Sequence, residues 1–474
     1  MKNLSRREFM KKSGIITTGA FLAGSSSPLY GSYEKQHAMK NINIESVDSD
    51  FEREPLIRPF GFAGGFMTEI WQSASYLKSS SGVHKIGLCT QSVLWSDGKV
   101  FAGHSESGGN ALMYALTERA MQMAKGQSFK TPLELLDNIF PELKEYAKKI
   151  TGNQQLRQTF TLNALVGLDN AAWLLYAEEN GFRTFDEMIP QEFRQAMSHR
   201  HDRVAGIPLM AYNIPINEIT SAVEEGYFFM KIKIGQPGTQ EEMLEKDKAR
   251  LTAIHNAISH ARTQYTENGR LPYYFDANGR YQEKETLMQL IDHTDKIGAL
   301  DQIAVIEEPF PEELKIDVSD IPVNLAADES AHTDKDALER IHQGYGSIAV
   351  KPIAKTLSMS LRVANIAHQH DVPCFCADLT VNPVLVEWNK NFAARLGPFP
   401  GIGDIGLMES NGHQNYKNWD TMMSYHPRSN APWVNVKEGV YETDDEFYRT
   451  GGGIFDRMPH YESMFETGHT KRNE

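Results

Sequence analysis

The chain has 474 residues, 41% of them hydrophobic, enough to bury a large core and to form two domains or one large barrel with an extra layer. Its 48 Lys and Arg against 62 Asp and Glu leave a formal net charge of −14, which excludes a nucleic-acid polyanion as the main partner. Three cysteines, Cys89, Cys374 and Cys376, cannot build a disulfide framework and read as small buried hydrophobes.

Residues 1–33 read as an export signal: a basic start, the run Ser5-Arg6-Arg7-Glu8-Phe9-Met10-Lys11, and an apolar, uncharged stretch from Gly14 to Gly24. The seven-residue run resembles the twin-arginine signal. The apolar part falls short of the ~20 residues that span a bilayer, and no cysteine follows it to carry a lipid. The resemblance implies recognition by the twin-arginine export machinery, delivery to the periplasm in a folded, metal-loaded state, and no membrane association after export.

Residues 34–206 are expected to form an α+β capping domain. From Glu34 to Gly82 the pattern is weak, and Gly61, Gly64 and Gly65 stand among Phe60, Phe62, Phe66 and Trp71. Such a stretch is either a surface loop or a mobile lid over a site. Val83 to Leu94 and Lys99 to His104 read as a hairpin around Ser96-Asp97-Gly98-Lys99. Helical spacing follows at Leu112, Ala115 and Leu116, at Leu135, Leu136 and Ile139, and from Leu162 to Leu175.

After Ile207 short apolar strands alternate with amphipathic helices. Strands are expected at Leu209 to Asn213, Phe228 to Ile234, Tyr273 to Asp276, Ile303 to Glu307, Asn324 to Ala327, Ser347 to Val350 and Pro373 to Ala377. Ile405 to Met408 is the candidate eighth. Thr239 with Glu242, and Thr333 with Asp336, mark helix starts. Seven β/α units imply a doubly wound sheet or a (β/α)8 TIM barrel, and the lack of a glycine-rich phosphate turn after the first strand favours a barrel over 207–410. Residues 411–474, rich in Tyr, Trp and Pro, are expected to pack back on the cap.

In a barrel, the residues at the C-terminal strand ends converge on one mouth. Here they are Lys231 and Lys233, Asp276 with Asn278, Glu307 and Glu308, Asp328 and Glu329, Lys351, and Cys376 with Asp378. Acidic side chains ending three successive apolar strands are electrostatically costly unless a cation sits among them. An all-oxygen ligand set of Asp276, Glu307 and Asp328 suits Mg2+, or Mn2+, rather than zinc. A small-molecule carboxylate that chelates such an ion has its α-proton acidified, and the ion's charge stabilises the resulting enediolate. Lys231, as a neighbouring cation, disfavours the ammonium form of Lys233 and fits it to act as a base. Lys351, on the sixth strand, lies across the mouth from the second.

Lys231-Ile232-Lys233, Phe275-Asp276-Ala277-Asn278, Ile306-Glu307-Glu308-Pro309, Ala327-Asp328-Glu329-Ser330 and Val350-Lys351-Pro352, in that order, resemble the enolase superfamily. Within it they resemble the mandelate racemase and muconate-lactonising family, in its muconate-lactonising and dipeptide-epimerase branch. The resemblance extends to Ala164–Trp173 in the last cap helix and so covers most of the chain. It implies a modified barrel with an N-terminal α+β cap and Lys233 and Lys351 as an acid/base pair. It also implies that Asn278 and Glu329 assist the metal shell and that a lid over residues 60–82 covers the site. Glu308, Asp378, Phe62 and Phe66 are candidate substrate contacts. A homo-oligomer is also expected.

Three departures stand out. Glu308 occupies a position where this branch usually has glutamine. No Asp-x-Asp pair follows the seventh strand to hold a substrate amine, and the His/Asp dyad of the mandelate-racemase branch is missing. His413 and Glu409 have the reach to meet the mouth, and Asp378 suits either a substrate ammonium or a helix cap. The leading expectation is a racemase or epimerase. A dehydratase or cycloisomerase, needing only one base, shares the same intermediate, and an exported binding protein without catalysis is the reading from another class.

Overall fold

The computed structural model describes residues 39–62 and 65–466, so the signal expected at 1–33 lies outside the described residues. The described chain opens on a long antiparallel hairpin. Ile42–Phe62 pairs with Gly65–Ser79 from Ile44↔Ser79 to Phe62↔Gly65, and Gly65–Ser79 pairs in turn with His84–Gln91. This corrects the reading of residues 34–82 as a weakly patterned loop. The register breaks between Pro55 and Phe60, which interrupts the alternation that marks a strand.

A second correction concerns Lys99 to His104, which form no strand. Gly98–Gly103 is a short helix, and the Asp97 carboxylate caps it by accepting from the Lys99 and Val100 amides at 3.0 and 3.1 Å. The Asp-Gly pair serves as a helix start instead of a hairpin turn. Helices Glu106–Ala124, Pro132–Thr151 and Gln158–Asn180 complete the cap. The last lies so close to the sheet that a Cβ at Gly87 would stand 2.1 Å from the Gly167 carbonyl oxygen. It also ties the cap to the barrel: Asp169 accepts from the Ser358 amide at 3.1 Å and hydroxyl at 2.5 Å, and the Trp173 indole donates to that hydroxyl at 3.0 Å.

The barrel strands are Arg203–Ile207 continued by Leu209–Met210, then Met230–Lys233, Tyr273–Asp276, Ile303–Glu307, Leu325–Ala327, Ser347–Val350, Cys374–Cys376 and Gly406–Glu409. All neighbours in this order run parallel. The eighth pairs parallel with the first, so the sheet closes on itself. The first strand therefore begins at Arg203 and not at Leu209, and residues 211–213 lie beyond it. Pro208, which lacks an N–H, made mid-strand look like a boundary. It sits where the strand changes neighbour: Leu209 and Met210 pair with the second strand, while Arg203–Ala205 pair antiparallel with Val440–Glu442.

Helices follow the strands at Ile216–Glu224, Gln240–Ile258, Lys284–Lys296, Asp334–His342, Leu357–Gln369 and Pro383–Ala393. The fourth strand is an exception to the expected units, because 308–324 reach the fifth through turns. Pro309, Pro311 and Pro322 each withdraw an N–H that a helix interior would use. Thr239 and Thr333 form reciprocal capping boxes with Glu242 and Asp336. Beyond the eighth strand, Tyr416 bridges Leu56, and the Lys417 amide donates to the Pro55 carbonyl at 3.0 Å. Among the described residues no helix is long and apolar enough to cross a membrane.

Candidate active site

Successive residues of a strand face opposite sides, so Lys231 and Lys233 emerge together at the end of the second barrel strand. Both are buried, as is Lys351 just after the sixth. In a closed ring of eight strands, the second and sixth are opposite one another. Lys231, Lys233 and Lys351 line one small cavity with Asp276, Asn278, Asp328, Glu329, Asp378 and Glu409. Glu307 lies below, fully buried.

The charged groups interlock. Lys231 Nζ lies 2.9 Å from Asp276 Oδ2, 2.8 Å from Glu307 Oε1 and 3.2 Å from Glu409 Oε2. Lys233 Nζ donates to Asp276 Oδ2 at 2.5 Å and to Asn278 Oδ1 at 2.6 Å. Lys351 Nζ stands 2.5 Å from Asp328 Oδ2 and 4.3 Å from the centre of the Trp95 ring. Lys355, a turn further on, donates to the Asp328 and Ala331 carbonyls at 2.5 and 3.0 Å.

Burial would raise Asp276, yet Lys231 and Lys233 hold its carboxyl well below the usual range. Burial opposes ionisation of Asp328 too, but Lys351 and Lys355 hold it at about 2. Glu307 goes the other way: burial, with the charge of Asp276 beside it, pushes it well up. Burial also raises Glu329, helped by Asp328 and Asp276. For Lys351 burial disfavours the ammonium, but Asp328 outweighs it and lifts the pKa above the ordinary lysine value.

The donor set fits a hard divalent cation. Carboxylate oxygens of Glu307, Asp328 and Glu329 lie within 4.8 Å of one another. Glu329 Oε2 is buried without a hydrogen-bond partner, while Glu329 Oε1 accepts from Asn278 Nδ2 at 3.0 Å. An orphaned carboxylate oxygen among carboxylates is costly unless a cation meets it. The structure thus gathers Glu329 with Glu307 and Asp328, and turns Asp276, the third expected ligand, toward the two lysines. Backbone geometry holds the rim: Asn278, Glu308 and Thr380, each just past a strand end, have φ of 45°, 39° and 56°. Non-glycine residues keep such conformations only where the surroundings impose them.

The other expected contacts separate. Glu308 Oε2 accepts from the Asp328 amide at 2.8 Å and from the Ser330 hydroxyl at 3.0 Å, so it braces the loop beneath the carboxylates and is absent from the cavity lining. Burial and Glu329 push it up to about 8, so at neutral pH it is mostly uncharged and does not bring the negative charge expected of it. Asp378 faces the cavity, but Asp378 Oδ2 accepts the Asn411 amide at 2.8 Å. The cap of the following helix is Asn382 instead. His413 stays outside, edge-on to Trp419. From the hairpin tip Phe60 and Met67 reach the cavity, while Phe66 is exposed and the Phe62 side chain is outside the described residues.

Sequence reasoning missed Trp95 and Lys355; Phe60 and Met67 lie in the 60–82 segment expected to cover the site, where Phe62 and Phe66 were named as the contacts instead. The Lys351-x-x-x-Lys355 spacing, one helical turn, was the available signal for Lys355. Phe60 and Leu209 also border a second chamber of about 450 Å3, lined by Arg58, Tyr212, Ile214 and Arg280. Arg280 follows the third strand and makes no ion pair or side-chain hydrogen bond to any described residue.

Residues 216–410 match a family model described as enolase C-terminal domain-like. Over these residues, most of the barrel, the chain is similar to that enolase-type family. No curated protein sequence matches the chain. Among solved structures, the enolase-type fold is shared with a dipeptide epimerase from Enterococcus faecalis V583, complexed with Mg and L-Leu-L-Tyr. That likeness has 16% identity, covers 84% of this chain and 97% of the other, and has a TM-score of 0.59. The L-Ala-D/L-Glu epimerase from Bacillus subtilis gives 15% identity, 80% and 90% coverage, and a TM-score of 0.56. The N-succinyl Arg/Lys racemase from Bacillus cereus ATCC 14579 gives 13%, 79% and 89%, and 0.57. At these identities the enolase-type fold is what is shared.

Proposed function

We propose that the protein is a racemase or epimerase that removes and returns the proton α to a substrate carboxylate, with Lys233 and Lys351 as the acid/base pair. The observation that carries this reading is their placement: two buried lysines on opposite strands face one cavity whose floor is carboxylate. Glu307, Asp328 and Glu329, with Asp276 beside them, would hold Mg2+ or Mn2+. Bound there, the ion withdraws charge from a chelating carboxylate and acidifies the α-proton. Lys233 is aimed by Asn278 and Asp276, so its nitrogen takes the proton from one face. Lys351, fixed against Trp95, returns a proton on the other face. Lys231 supplies positive charge between Asp276 and Glu307.

The inner cavity suits the reacting carboxylate alone, so the rest of the substrate extends past Phe60 into the larger chamber. An unpaired Arg280 there favours an anionic distal group, as on an acidic dipeptide or an amino acid N-acylated by a dicarboxylic acid. The N-succinyl substrates in the name of one structural neighbour carry such a group, whereas the L-Leu-L-Tyr bound by another does not. Incubating the protein with Mg2+ and such a panel in D2O should exchange the α-proton of a cognate ligand, read by NMR. Absence of exchange in every ligand shown to bind overturns the catalytic reading, and formation of an unsaturated product assigns elimination in its place. Export rests on the Ser5–Lys11 run: Arg6→Lys with Arg7→Lys should strand the protein in the cytoplasm on cell fractionation.

A further inference from the structure

At the opposite end of the barrel from the lysines, His199 and His201 precede the first strand and Asp404 precedes the eighth. Ligand atoms of all three lie within 4.8 Å of one another. His199 Nε2 stands 2.7 Å, and His201 Nδ1 2.8 Å, from the same oxygen, Asp404 Oδ1.

The protonation of His201 is set by its other nitrogen. Nε2 lies 2.9 Å from the Leu396 carbonyl, which only accepts, so Nε2 carries a proton. In the neutral ring Nδ1 then presents a lone pair to a carboxylate oxygen, and it is a buried atom without a hydrogen-bond partner. Two lone pairs at that distance need a cation between them. A proton is one candidate, but the His201 side chain is 0% exposed, so charging it would bury an imidazolium. A metal ion removes the conflict without placing an imidazolium in the interior. A ring whose second N–H is pinned to a backbone carbonyl is the usual arrangement of a metal-bound histidine.

We infer that His199, His201 and Asp404 form a second metal site, for a borderline divalent ion of the zinc type, distinct from the carboxylate site at the barrel mouth. Two imidazoles and one carboxylate suit zinc and discriminate against magnesium. Asp404 is 70% exposed, which leaves room for water to complete the coordination. The site joins the segments that lead into the two strands closing the barrel, paired at Gly406↔Val204. Its expected role is to staple that seam.

The test uses the full chain, stripped with chelator and held in excess Mg2+ to occupy the mouth. Titration with Zn2+ by calorimetry, and with Co2+ by its visible spectrum, should show one equivalent bound, with Zn2+ raising Tm. His199→Ala and Asp404→Asn, both at partly exposed positions, should each weaken Zn2+ by about tenfold or more and abolish the Tm rise. Absence of binding in the wild type, or affinity unchanged in both variants, overturns the site and leaves a histidine–aspartate ion pair.

Discussion

Replacing Lys351 by Met keeps the bulk of the side chain and removes only its charge and proton. In the structure this strips Asp328 of the cation 2.5 Å from its Oδ2, while Lys355 remains 3.4 Å from Oδ1. Breaking a buried ion pair costs about 3–5 kcal/mol, and the surviving lysine should hold the loss to the lower end, leaving the protein folded. Loss of a positioned acid/base costs about 10²- to 10⁴-fold in rate, or roughly 3–5 kcal/mol in the barrier. Interconversion of enantiomers should fall by that factor. In D2O, however, one enantiomer of the substrate should still exchange its α-proton through Lys233, and Lys233→Met should show the mirror-image preference. Urea unfolding and Mg2+ titration of the same samples separate misfolding and metal loss from chemistry. Equal exchange of both enantiomers by Lys351→Met, or wild-type interconversion, would refute a two-base mechanism.

Other expectations follow from the same geometry. Glu329→Gln keeps an acceptor for Asn278 but removes the charge on the orphaned oxygen, so calorimetry should find Mg2+ bound about tenfold or more weakly. Unchanged affinity would remove Glu329 from the ligand set. Arg280→Ala should raise KM for a substrate with an acidic distal group and leave kcat and a neutral analogue nearly unaffected; a fall in kcat alone contradicts the assigned chamber. Burial, opposed by hydrogen bonds from Ser358, raises Asp169 to about 6. Its folded pKa lies above the unfolded ~3.9, so its contribution is fully present below pH ~4 and lost as pH rises through about 6. At neutral pH the ionised form costs about 3 kcal/mol, and Asp169→Asn should flatten that slope in urea unfolding. A wild-type minus variant difference that does not change over this range contradicts the assignment.

The sequence was most readable where one residue does one job at a strand end. Lys231, Lys233, Asp276, Glu307 and Asp328 each close a short apolar run, and a run too short for a helix leaves little choice of structure. Reading failed where local chemistry has two uses. Asp97-Gly98 suits a hairpin turn and a helix cap equally, and only the partners of the Asp97 carboxylate decide between them. Pro208 marks either a strand boundary or a change of neighbour, and the neighbour, Val440–Glu442, is remote in sequence. Trp95 was invisible because its contact with Lys351 joins two domains. Phe60 and Met67 pair with each other across the hairpin and reach the cavity together, a pairing that residue spacing does not announce.

The pairing of Val440–Glu442 with Arg203–Ala205 bears on the order of events during synthesis. The lower half of the first barrel strand pairs on one side with the eighth strand and finds its other partner only after more than two hundred further residues have been made. A nascent chain that has finished all eight barrel strands still exposes an unpaired edge there, a template for association with other chains. Such long-range closure slows folding and extends the interval in which that edge is open. Truncation before Val440 should therefore yield aggregation rather than a smaller working barrel, although none of the deleted residues lies at the mouth.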